Sequence, residues 1–128
     1  MLKRRILSVL LVLTMLVPFA GAAQTAQDNM RGVWVASVAN IDYPSSAGMT
    51  AQALAAEADT MLDNIAAMGL NTVFLQVRPS ADALYRSGLF PQSRYVRGNC
   101  GASPDGDFDG LACWVEGAHE RGLQLHAW

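Results

Sequence analysis

Three groups of side chains in this sequence have the types and spacing to hold a ligand. Gln76, Arg78 and Asp82 follow an apolar, β-branched run over residues 72–77. Asn40 and Asp42 follow a second such run that begins at Gly32, and His126 and Trp128 end a third over residues 123–128. Carboxamides and guanidinium are directional hydrogen-bonding groups, Trp128 offers a flat face, and Asp42 and Asp82 are the only carboxyl groups at these run ends. An arginine in that position needs an anionic or carbonyl partner. Each residue also has a plainer reading: a structural salt bridge for Arg78, a satisfied interior histidine for His126, and turn aspartates for Asp42 and Asp82.

The runs themselves read as strands. Residues 32–40 place Trp34, Ala36, Val38 and Asn40 on one face and Val33, Val35, Ser37 and Ala39 on the other. Both faces are mostly apolar, as in a parallel strand covered on both sides, so Trp34 is expected in the core. Between the first two runs, Leu54, Ala58, Met61, Leu62, Ile65 and Met68 form one helical stripe, with Thr50 as N-cap, Gly69 as stop, and Asp59 and Asp63 on the wet side. A second helix is expected from Asp109, with Leu111, Trp114, Val115 and Ala118 inward and Gly122 closing it. Strand, helix, strand at this spacing implies a parallel sheet, and in such sheets ligands meet the carboxyl ends of the strands. The expected fold class is therefore α/β, a partial (β/α)8 TIM barrel with its first three parallel strands and two helices. Residues 79–104 are long for a connection and carry Tyr85, Phe90 and Tyr95 among Arg86, Arg94 and Arg97, the composition of an ordered functional loop.

Residues 1–22 read as a signal peptide, with Lys3, Arg4 and Arg5 before an apolar segment and Ala20, Gly21 and Ala22 at the cleavage site. Residues 23–30 are a polar lead-in, and 31–128 are the barrel segment. Of nine basic residues, those three leave six against eleven acidic, a net charge near −5. That balance gives no reason to expect nucleic acid or an anionic membrane as partner and suits a neutral, polyhydroxylated substrate. The protein is expected to be exported to the periplasm or beyond, touching a membrane only through its signal peptide. Export makes a Cys100–Cys113 disulfide the natural use of the two cysteines, worth about 3 kcal/mol by loop entropy.

The segments RGVWVASVANIDYPSS (31–46), GLNTVFLQVRPSADALY (69–85) and FDGLACWVEGAHERGLQLHAW (108–128) together resemble the start of the glycosyl-hydrolase-like 10 family, exported TIM-barrel proteins associated with bacterial cell-envelope polysaccharide. The resemblance implies a glycosidase-like protein with a polysaccharide substrate and no cofactor. It places Asn40, Asp42, Gln76, Arg78, Asp82, His126 and Trp128 at the sugar-facing end. Tyr43 stands where the family commonly has Trp, and Gly110 where a Pro often opens the helix. Glycoside hydrolysis usually needs two carboxylic acids. Related barrels draw theirs from later strands, so Asp42 and Asp82 are assigned to binding, and the catalytic pair is expected beyond residue 128. A barrel of eight needs about 250 residues. The chain is accordingly read as an N-terminal fragment, inactive alone.

Asp105, Asp107, Asp109, Gly110 and Glu116 fit a calcium-loop spacing. No amphipathic helix precedes them, so acidic capping of the second helix is preferred and no metal is expected. Two other readings stay open: a non-catalytic glycan-binding barrel, and a small α/β interaction module.

Overall fold

The structure, a computed structural model, describes residues 29–97 and 108–128. Three short strands, β1 (Gly32–Val35), β2 (Thr72–Leu75) and β3 (Gln124–Ala127), form a parallel sheet in the order β1-β2-β3. Helix α1 (Ala51–Ala67) leads from β1 to β2, and a one-turn helix α2 (Arg94–Arg97) followed by α3 (Gly110–Glu120) leads from β2 to β3. This is the α/β arrangement of a partial TIM barrel.

Local chemistry sets the helix ends where expected. Thr50 Oγ1 accepts from the Ala53 amide at 3.2 Å, and Asp109 Oδ1 accepts from the Ala112 amide at 2.9 Å, each satisfying an amide that the first helical turn leaves open. Gly69 takes φ +74, a left-handed conformation that lets the chain turn from α1 into β2 without a Cβ penalty.

The core lies between one sheet face and the two long helices. Val35, Val73 and Leu75 meet Leu54, Ala58, Leu62 and Ile65 of α1 and Trp114 and Ala118 of α3. Leu54, Leu62 and Trp114 are wholly buried, and such side chains contribute about 1.5–3 kcal/mol each through lost water contact. The helices pack closely because α3 presents Gly117 to Leu62, whose Cδ1 would lie 2.8 Å from an added Cβ. Arg121 fastens the outside of this contact, reaching Asp63 at 2.7 Å and Asp59 at 3.2 Å. Asp59 and Asp63 are thus on the wet side as expected, but ion-paired.

Several expectations need correction. The first strand ends at Val35 rather than continuing to Asn40. Beyond it the chain leaves the ladder through a 3-10 turn, with Ala39 and Asn40 both at φ 54. The sheet is covered on one face only by the described residues. Trp34, expected in the core, is 61 % exposed within these 128 residues; its side of β1 faces away from both helices, the side that forms the interior when a barrel closes. Met68 sits at the C-cap and is exposed rather than closing the α1 stripe. Tyr43, expected on a loop, is fully buried, its ring edge-on to Trp114 at 5.0 Å and its hydroxyl donating to the Leu54 carbonyl at 3.2 Å. Burial pushes its phenol well above the ordinary value. Gly110 donates its amide to the Leu84 carbonyl at 3.1 Å, a bond that proline could not make.

The proposed signal peptide, most of the lead-in, Cys100, Asp105 and Asp107 lie outside the described residues. Among the described residues no helix is long and apolar enough to cross a membrane.

Candidate functional site at the carboxyl ends of the strands

Hydrogen bonds beyond the regular ladder hold the three strand ends together. The Gln76 amide donates to the Val35 carbonyl at 2.9 Å, the Val77 amide to the Trp128 carbonyl at 2.7 Å, and the Trp128 amide to the Leu75 carbonyl at 2.9 Å. The exits of all three strands therefore form one rim.

Several of the polar residues expected there brace the rim. Gln76 is 9 % exposed, and its Oε1 accepts from the amides of Ser37 at 3.0 Å and Val38 at 2.8 Å. Ser37 Oγ returns a bond to the Gln76 carbonyl at 2.8 Å. Asp42 Oδ2 accepts from the Ala36 amide at 2.8 Å, closing the turn after β1. Asn40 Nδ2 donates to the carbonyls of Pro44 at 2.7 Å and Tyr95 at 2.9 Å, joining the loop after β1 to the loop after β2. Asp82 is buried, taking the amides of Ser80 at 3.1 Å and Arg94 at 3.0 Å, so it shapes the loop and starts α2. Carboxylates engaged by backbone amides in this way fix the loops as hydrogen-bond acceptors.

The other expected site residues face outward. Arg78 is exposed, with its guanidinium carbon 3.7 Å from the centroid of Phe90. His126 is exposed and packs against Phe74 at 5.1 Å. Trp128, 48 % exposed, directs its indole N–H to the Phe74 carbonyl at 3.4 Å.

A feature that sequence reasoning missed joins these groups. Trp34, Phe74 and His126 occupy one row across the sheet. Trp34 stacks on Phe74 at 4.7 Å and 17°, and meets Trp128 edge-on at 5.2 Å. Gly32 makes room for this strip, since an added Cβ would fall 2.6 Å from the Phe74 ring. The signal for it lay in the period of two: Phe74 stands two before Gln76, and His126 two before Trp128, which puts each on the face of a tip residue. A ring surface of this kind can stack against the apolar face of a ligand.

The remaining acidic and thiol candidates among the described residues lie on α3 and at its start. Asp109 caps α3 and also accepts the Arg86 amide through Oδ2 at 3.1 Å. Glu116 lines the outer groove between α1 and α3 together with Cys113, and burial pushes the Cys113 thiol upward. Among the described residues no three His, Cys, Asp or Glu side chains are grouped to hold a metal ion.

A sequence profile described as glycosyl hydrolase-like 10 matches residues 29–128. The chain is 42 % identical to glycosyl hydrolase YngK of Bacillus subtilis (strain 168) over an alignment covering 88 % of this chain and 21 % of that protein. It is 34 % identical to glycosyl hydrolase DigH of Escherichia coli (strain K12), covering 90 % of this chain and 28 % of the relative. It therefore spans between a fifth and a third of the length of these relatives. With three parallel strands delivering an aromatic and cationic rim, and with this profile matched from the residues just before β1 to Trp128, the chain belongs to the glycosyl hydrolase-like 10 family.

Proposed function

We propose that the protein is exported and hydrolyses glycosidic bonds in bacterial cell-envelope polysaccharide, with the sugar chain lying across the rim of strand ends. The observation that carries this reading is the strip of Trp34, Phe74, His126 and Trp128 on the side of the sheet away from the helices, with Arg78 stacked on Phe90 where β2 ends. Asp42 and Asp82 serve as braces, because both are already engaged by backbone amides. The acid and nucleophile then come from elsewhere in the full-length protein, and the 128 residues alone are inactive. Export rests on the composition of residues 1–22 and carries with it a Cys100–Cys113 bridge, which thiol counting before and after reduction would test.

The test is release of reducing ends from purified envelope polysaccharide by the full-length protein, with the 128-residue chain alongside. Reducing ends from the former and none from the latter are expected. Binding without release by the full-length protein would replace the enzyme with a glycan-binding barrel.

A further inference from the structure

We propose that Arg78, held face-on by Phe90, recognises an oxyanion substituent, a carboxylate or phosphate group, on the polysaccharide. The inference rests on the glycan reading above and names which feature of the glycan is selected. Arg78 directly follows Val77, whose amide donates to the Trp128 carbonyl, so Arg78 leaves the sheet at the rim. With its carbon 3.7 Å from the Phe90 centroid, one face of the guanidinium is covered by the ring and its N–H edge is left for an acceptor. Among the described residues no carboxylate lies within ion-pair distance of Arg78. The rim carboxylates that could have served are committed, Asp82 to the amides of Ser80 and Arg94, and Asp42 to that of Ala36. A guanidinium fork fits a carboxylate or phosphate through two parallel bonds, whereas sugar hydroxyls use it less fully.

The test measures binding of full-length protein to three preparations of one envelope polysaccharide: intact, carboxyl-reduced with carbodiimide and borohydride, and dephosphorylated with hydrogen fluoride. Wild-type protein should prefer intact material over one treated form by about ten-fold, the scale of a charge-assisted pair, and the form that loses affinity identifies the anion. In Arg78→Gln that preference should shrink to within about two-fold, and in Phe90→Ala it should be intermediate, since the ring orients the fork. Thermal melting of both variants checks that they fold. Equal wild-type binding to all three preparations, or an undiminished preference in Arg78→Gln, overturns the proposal. If wild-type protein binds none of them, the glycan reading itself falls and takes this inference with it.

Discussion

Replacing Gln76 by leucine separates a brace from a sugar contact. Leucine keeps most of the volume of the side chain and removes the oxygen that accepts from Ser37 and Val38 at 3.0 and 2.8 Å. The first of these amides is buried and the second partly so, and neither has another acceptor in the structure. A buried donor left without a partner costs about 1–3 kcal/mol, and a part-buried one recovers some of that from water. The expected destabilisation of Gln76→Leu is therefore about 2–4 kcal/mol, read as a lowered guanidinium midpoint at unchanged slope in the full-length protein. Gln76→Glu keeps acceptor oxygens at the same reach, and its loss should be smaller despite the cost of a largely buried charge. Polysaccharide affinity should fall only as far as the loop after β1 is displaced. A Gln76→Leu variant within about 0.5 kcal/mol of wild type, but with sharply weakened glycan binding, would refute the brace and make Gln76 a direct contact.

Two further predictions use the packing of the helices. Gly110→Ala should destabilise by about 1–3 kcal/mol in spite of alanine's better helix propensity, because the new Cβ would lie 2.8 Å from the Leu84 carbonyl oxygen, a backbone atom. Gly117→Ala meets only the movable end of Leu62 at the same distance, so its melting temperature should fall less; equal losses would refute the distinction. Tyr43→Phe should cost about 1 kcal/mol through the lost bond to Leu54. It should also change the alkaline limb of stability. The folded phenol has its pKa raised above the ordinary 10.0, so the unfolded chain releases this proton first. Stability from Tyr43 is therefore complete below about pH 10 and declines as pH rises beyond it. The wild-type slope above pH 10 should be steeper than that of Tyr43→Phe, and identical slopes would mean that the phenol titrates freely in the folded protein.

The parts of this fold that sequence reasoning reached are those governed by neighbours a few residues away. Thr50 and Asp109 cap helices whose first turns they themselves begin, Gly69 supplies its own left-handed angle, and the α1 stripe repeats within one segment. What escaped depends on partners distant in the chain. Gln76 braces an amide 39 residues earlier, and Asn40 reaches a carbonyl 55 residues later, so no local pattern marks either as structural. Trp34 escaped for another reason: alternation assigns it a face but not what covers that face. An apolar run on both sides of β1 is equally consistent with two covered faces and with one covered face plus an aromatic strip.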